Sequence, residues 1–135
     1  MEDMYGMRSE TNGELQGWFQ APRFDLYVWI ANGEVTHLQV CAGSDVVDWK
    51  PTGLLPTGQL RGRGGGIGVL AAREDTIMGD RDVSAERVAR IVAALRTADL
   101  PPDVRDFALA AVQGQAPTVP AATVEAEIRA LKTVR

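Results

Sequence analysis

Residues 24–42 read FDLYVWIANGEVTHLQVCA and carry the clearest signal of the fold. Apolar side chains occupy every second position from Phe24 to Ile30, and this period of two predicts a β-strand. Asn32-Gly33 is the dipeptide most typical of a tight hairpin turn. The rest of the stretch is therefore expected to return as the second strand of an antiparallel hairpin.

Two registers of this hairpin differ in the side chains that they bring together. A two-residue turn at Asn32-Gly33 would place Val28 opposite His37. A three-residue turn that begins at Ala31 would place Tyr27 beside His37 instead. We predict the second register, because it gathers the apolar side chains on one face of the sheet. The other face is then left rich in aromatic side chains.

Further strands are predicted on both sides of the hairpin, over residues 14–20, 45–50 and 67–73. Consecutive strands usually lie beside one another, so the sheet is expected to be an antiparallel meander of four or five strands. Residues 1–13 are polar and show no period, and we predict a disordered N-terminal tail there. Residues 14–135 are expected to form a single α+β domain.

The C-terminal part of the chain shows the apolar spacing of helices. Ser84 is a suitable N-cap for a helix whose apolar stripe runs over residues 88–95. Pro102 suits the first turn of a second helix, which Gly114 would end. A third helix is predicted over about residues 120–133. The predicted fold class is α+β, with the meander followed by two or three α-helices packed on one sheet face.

Composition excludes several classes of function. The 135 residues carry a formal net charge of −4, which argues against a nucleic-acid partner. The single cysteine, Cys41, and the single histidine, His37, exclude an internal disulfide and the usual zinc signatures. We predict neither a metal nor a cofactor. Because no apolar run is long enough to cross a bilayer, a cytoplasmic protein without membrane contact is expected.

The order of aromatic and helical segments over residues 17–113 forms a recognisable pattern. It comprises Trp18-Phe19, residues 24–29, residues 38–41, a strand ending in Trp49, the helix at 88–95 and residues 102–107. This pattern resembles a group of short uncharacterised bacterial proteins. Members of that group tend to carry a polar stretch after the cysteine and histidines after the tryptophan strand, where this chain has residues 42–44 and 60–63. The resemblance implies no activity.

A glycine-rich stretch supplies one candidate ligand site. Residues 53–68 hold seven of the chain's 14 glycines and are predicted to form a long irregular loop. Backbone N–H groups and arginine side chains in such a loop can bind phosphate. Known phosphate loops open a helix, whereas this one precedes a predicted strand, so a flexible connector is the competing interpretation. The candidate ligand-binding residues are Arg61, Arg63, Gly64, Gly65 and Gly66.

The aromatic side chains of the strands supply a candidate interface. If both sheet faces are apolar, the helices cover one, and the other is available to a partner unless the chain itself covers it. The candidate interface residues are Trp18, Tyr27, Trp29, His37 and Trp49.

Three hypotheses of function follow from these features. The first is a non-enzymatic interaction or scaffold module that self-associates, as a dimer, through the aromatic sheet face or the C-terminal helices. The second is a protein that binds a small molecule or a phosphate-bearing ligand through residues 61–68. The third is an enzyme that uses Asp45, Asp48 or His37, which requires these groups to converge in one pocket.

Overall fold

The computed structural model describes residues 5–52, 56–60 and 77–133. These residues form one sheet and three helices, an α+β fold as predicted. The strands are β1 (Tyr5–Thr11), β2 (Glu14–Ala21), β3 (Phe24–Ala31), β4 (Glu34–Ala42), β5 (Asp45–Trp49), β6 (Thr57–Leu60), β7 (Ile77–Gly79) and β8 (Lys132–Thr133). The helices are α1 (Ala85–Thr97), α2 (Pro102–Val112) and α3 (Ala121–Arg129).

The sheet is a meander in the order β7-β6-β5-β4-β3-β2-β1-β8. Neighbouring strands are antiparallel, apart from the short parallel pairing of β8 with β1. The meander is confirmed, but eight strands are found among the described residues instead of four or five. The additional strands are β1 and β8 near the two ends of the chain, β6 in the stretch predicted to be a loop, and β7 shortly before α1.

The prediction of a disordered tail over residues 1–13 is wrong for Tyr5–Thr11. This segment is β1, and it pairs with β2 along its whole length. Asn12 and Gly13 form the connecting turn, with φ angles of 55° and 80°. The strand was missed because its side chains are largely polar and give no alternation. The signal that could have found it is Asn12-Gly13, the same dipeptide as in the central hairpin.

The central hairpin has neither of the two registers considered from sequence. Asn32 and Gly33 form a two-residue turn, with φ angles of 54° and 76°. A β-bulge at Thr36 then leaves this residue without a cross-strand partner in the register. The bulge shifts the pairing by one residue, so Trp29 pairs with His37. The bulge keeps the apolar side chains of both strands on one face, which the three-residue turn was predicted to do.

Two other boundaries differ from the prediction. Thr57–Leu60, within the predicted irregular loop, is β6 and pairs with both β5 and β7. The strand predicted at residues 67–73 lies outside the described residues. The third helix ends at Arg129 instead of continuing to about residue 133, because Lys132–Thr133 pairs with the edge of β1.

The three described helices pack on one face of the sheet, as predicted. Ser84 caps α1 by accepting a hydrogen bond from the backbone N–H of Arg87 at 3.2 Å. Gly114, with φ of 71°, follows α2. The core combines alternate side chains of β2–β5 with the apolar stripes of the helices. Its fully buried members include Leu26, Val40, Val47, Ile91, Leu95, Ala108 and Ile128. None of the described helices has the length and apolarity needed to cross a membrane.

Candidate functional site

The sheet face opposite the helices gathers a second set of side chains, which we call the aromatic face. Trp18 and Tyr27 are cross-strand partners, as are Trp29 and His37. Alternate residues of a strand share a face, so one strand after another contributes to the same surface. The aromatic face is Trp18, Asp25, Tyr27, Trp29, His37, Gln39, Cys41 and Asp48.

Stacked rings cross this face from its buried centre to solvent. The rings of Tyr27 and Trp29 are 6.0 Å apart, and those of Trp29 and His37 are 4.2 Å apart with planes inclined by 14°. Nε2 of His37 lies 2.5 Å from Oδ1 of Asp48. The His37 and Asp48 side chains are 27% and 25% exposed. The imidazole is therefore held between an indole and a carboxylate at the solvent side of the face.

The centre of the aromatic face is already covered within a single chain. Trp18, Tyr27 and Cys41 are only 5%, 1% and 4% exposed. Trp18 and Tyr27 thus cannot form an exposed docking surface, although the sequence placed them among the interface residues. Trp29 and His37 are half-buried and keep some accessible surface. Self-association through this face stays a prediction that depends on those two side chains.

Trp49 does not belong with the other four candidate interface residues. It lies on the helix face of the sheet, where its ring meets Phe107 of α2 edge to face at 5.8 Å. Trp49 pairs with Leu38, which is a core residue, and it therefore shares the core side of the sheet. Its role is to pack the sheet on α2.

Two oxygens at the centre of the aromatic face lack a hydrogen-bond partner. Oη of Tyr27 and Oδ1 of Asp25 are both buried, and neither has a partner in the described structure. Burial raises the pKa of Asp25 to about 6. Burial and the nearby Asp25 carboxylate also raise the pKa of Tyr27. Side chains two apart on a strand point to the same face, so the two oxygens lie on the same side of the sheet, and the Asp25 carboxylate is near enough to add to the effect of burial in raising the pKa of Tyr27.

Asp25 is the functional candidate that sequence reasoning missed. It was treated only as a polar residue in the alternation of β3, on the side expected to face away from the core. A detectable signal was that a single carboxylate interrupts a strand of otherwise apolar and aromatic residues. Such a strand can be buried on both faces, and a carboxylate within it is then desolvated.

Cys41 is a packing residue. Its Sγ lies 3.7 Å from Oε1 of Gln39 and donates a weak hydrogen bond to it. Burial, reinforced by the nearby Asp25 and Asp48 carboxylates, raises the pKa of the Cys41 thiol to about 12. The thiol is therefore protonated at neutral pH and is not a nucleophile.

The acidic residues proposed for an enzyme lie on different faces. Asp48 is on the aromatic face with His37, whereas Asp45 is on the helix side. There the Asp45 carboxylate accepts hydrogen bonds from Arg87 Nη1 at 2.8 Å and from Arg90 Nε at 2.7 Å. The bonds from Arg90 and Arg87 lower the pKa of Asp45. The convergence that the enzyme hypothesis requires is thus limited to His37 and Asp48.

Arg87 also joins Asp80 to this ionic cluster. Its Nε donates to Asp80 Oδ2 at 2.8 Å, and Thr57 donates to the same oxygen at 2.7 Å. The cluster connects α1 with β5, β6 and the end of β7. It was not predicted, because its members are separated by up to 45 residues in sequence.

The candidate ligand residues Arg61, Arg63, Gly64, Gly65 and Gly66 lie outside the described residues. Within the described part of the chain, no group of three or more His, Cys, Asp or Glu side chains is arranged to hold a metal ion.

Comparisons with known proteins add no further information about the site. No family model, curated protein or solved structure matches this chain. The resemblance to short bacterial proteins therefore stays a prediction, and a function has to be proposed from the geometry of the aromatic face.

Proposed function

We propose that the aromatic face binds a small organic molecule. The observation that carries this proposal is the pair of buried oxygens without partners, Tyr27 Oη and Asp25 Oδ1. Buried polar atoms in native proteins nearly always have a hydrogen-bond partner, and leaving one unpaired costs about 1–3 kcal/mol. Two such atoms on one sheet face support a bound molecule that completes their hydrogen bonds, and because both atoms are closed off from solvent, this molecule has to displace the side chains that cover them.

The surroundings of these oxygens have the character of a ligand site. Small-molecule sites are lined mainly by aromatic and apolar side chains, with a few polar groups that fix orientation. Here Trp18, Tyr27 and Trp29 supply the aromatic surface. Trp29 and the partly exposed His37 lie on the solvent side of the face.

The arrangement favours binding over nucleophilic catalysis. The single thiol of the chain belongs to Cys41, which is the cross-strand partner of Asp25. Because the pKa of this thiol is raised to about 12, it does not supply a thiolate at neutral pH.

An NMR titration tests the proposal. The ¹⁵N-labelled protein is titrated separately with benzyl alcohol, benzylamine and benzoate, which present the same ring with a neutral, a cationic and an anionic group. We expect at least one probe to cause saturable amide shifts in β3 and β4, with no comparable shifts in α2.

Two variants assign the binding to this face. Tyr27→Phe removes one of the unpaired oxygens and is expected to weaken the probe that binds best. Trp49→Phe alters an aromatic side chain on the opposite face of the sheet. This variant should bind the same probe with unchanged affinity. The proposal is rejected if none of the three probes saturates, or if Tyr27→Phe and Trp49→Phe have equal effects.

A further inference from the structure

The structure points to the class of this ligand. We infer that the aromatic face binds a molecule carrying a primary ammonium group, which Asp25 Oδ1 and Tyr27 Oη hold from two sides. This inference rests on the proposed function and adds the charge and the hydrogen-bonding group of the ligand.

Charge favours a cation at this place. The strands β2–β5 contain no Lys or Arg, so they bring no positive side chain to the aromatic face apart from His37 when it is protonated. His37 pairs with Asp48. Asp25 takes part in none of the ion pairs of the described residues. An anionic ligand beside Asp25 would face a half-buried carboxylate that takes part in no ion pair of the described residues, and the two like charges would repel.

Hydrogen-bonding capacity favours an ammonium group over a neutral one. An ionised carboxylate can only accept hydrogen bonds, and a phenol oxygen can accept as well as donate. An ammonium group offers three donors and can therefore serve both unpaired oxygens at once. A hydroxyl group could donate to Asp25 and accept from the Tyr27 O–H, but it brings no positive charge to pair with the Asp25 carboxylate.

The aromatic side chains support the same choice. Cations are attracted to the faces of indole and phenol rings, most strongly where water is excluded. Tyr27, which carries one of the two oxygens, stacks with Trp29 and pairs with Trp18 across the sheet. These rings, the partly desolvated Asp25 carboxylate and the Tyr27 phenol together favour an organic amine over a neutral or anionic ligand.

The first experiment compares the affinities of matched probes for the wild-type protein at pH 7.5. Benzylamine carries charge and N–H donors, benzyltrimethylammonium carries charge without donors, and benzyl alcohol and benzoate are the neutral and anionic analogues. We expect benzylamine to bind at least about tenfold more tightly than each of the other three, because charge-assisted hydrogen bonds are the stronger class.

The second experiment uses substitutions that remove one negative charge. Asp25→Asn is expected to weaken benzylamine by about tenfold or more while leaving a neutral probe nearly unchanged. Asp99→Asn removes the same charge from an exposed position between α1 and α2 and should have no effect.

The outcomes distinguish a failure of this inference from a failure of the proposed function. If benzyl alcohol or benzoate binds as tightly as benzylamine, the aromatic face is a ligand site but the inference of an amine is wrong. Equal binding of benzyltrimethylammonium would overturn the hydrogen-bonded ammonium. If none of the four probes binds, the proposed function fails, and the inference fails with it.

Discussion

Ile128 of α3 occupies the space beside Gly17 of β2 where a side chain would otherwise lie. A Cβ atom at Gly17 would be 2.8 Å from Cγ2 and 2.9 Å from Cγ1 of Ile128. Ile128 is fully buried, so its branched side chain cannot turn toward solvent. The absence of a side chain at Gly17 is thus what allows α3 to lie directly on the sheet.

Gly17→Ala is expected to destabilise the protein by about 1–3 kcal/mol, because the added methyl overpacks the contact with α3. Urea denaturation measures the change in the free energy of unfolding. Gly79→Ala is the matched control, since no atom lies within 4 Å of a Cβ at that position. Ile128→Ala should lower the free energy of unfolding by a smaller amount in the Gly17→Ala background than in the wild type. Equal stability of the two glycine variants would contradict this account of the packing.

Arg87 and Arg90 both bind Asp45, but we expect Arg87 to matter more for stability. The Arg87 side chain is 17% exposed and joins two carboxylates, whereas that of Arg90 is 54% exposed and joins one. Solvent weakens exposed ion pairs. Removal of the better-buried arginine therefore leaves the negative charge of Asp45 less well neutralised than removal of the exposed one. Arg87→Met should therefore lower the melting temperature more than Arg90→Met. Differential scanning calorimetry at pH 7 decides the order, and a larger effect of Arg90→Met would refute it.

The same cluster predicts a loss of stability in acid. Hydrogen bonds from Arg90 and Arg87 lower the pKa of Asp45 in the folded protein. This carboxylate therefore contributes stability above its ordinary pKa of 3.8, and the contribution is lost as the pH falls through the lower folded value. The urea midpoint of the wild type should decrease as the pH is lowered below about 4, and the decrease should be smaller for Asp45→Asn. Parallel profiles for the two proteins would be inconsistent with the ion pairs.

Asp25 predicts a pH dependence of the opposite sign. Burial raises its pKa from 3.8 to about 6, so the folded state holds this proton more tightly than the unfolded state. The folded protein consequently loses stability as the pH rises from about 4 through 6. The titratable groups nearest to it, Tyr27 and Cys41, stay protonated over this range because burial raises the pKa of both.

Asp25→Asn should remove this loss. The variant is expected to be more stable than the wild type at pH 8, by on the order of 1 kcal/mol after allowance for partial exposure. At pH 4 the difference should shrink. Urea denaturation at the two pH values measures it, and a variant that is less stable at pH 8 would show that the carboxylate has a partner. A more stable variant that no longer binds benzylamine would also show that lost binding does not reflect unfolding.

Much of the architecture could be predicted because its signals are local. The alternation in β3, the Asn32-Gly33 turn, the Ser84 cap and Gly114 after α2 each depend on a few adjacent residues. By contrast, β1 is polar and is stabilised by pairing with β2, which is a property of the sheet and not of the segment.

The candidate site was only partly predictable. Tyr27, Trp29 and His37 were recognised as one aromatic surface, since alternate positions share a face. The bulge at Thr36 then decided that His37 lies opposite Trp29 and not Tyr27. A one-residue shift costs little locally, and the selection comes from the burial of apolar side chains across several strands.

Local sequence signals predicted the alternation of β3, the turn at Asn32-Gly33, the Ser84 cap of α1 and the end of α2 at Gly114, because backbone and side-chain preferences act between near neighbours. The tertiary structure brings Asp45 to Arg87 and Arg90, packs Trp49 on Phe107, and leaves one oxygen each of Tyr27 and Asp25 unpaired. Burial and hydrogen-bond partners depend on residues distant in the chain, and a polar group acquires its cost or its function only when those residues have replaced water around it.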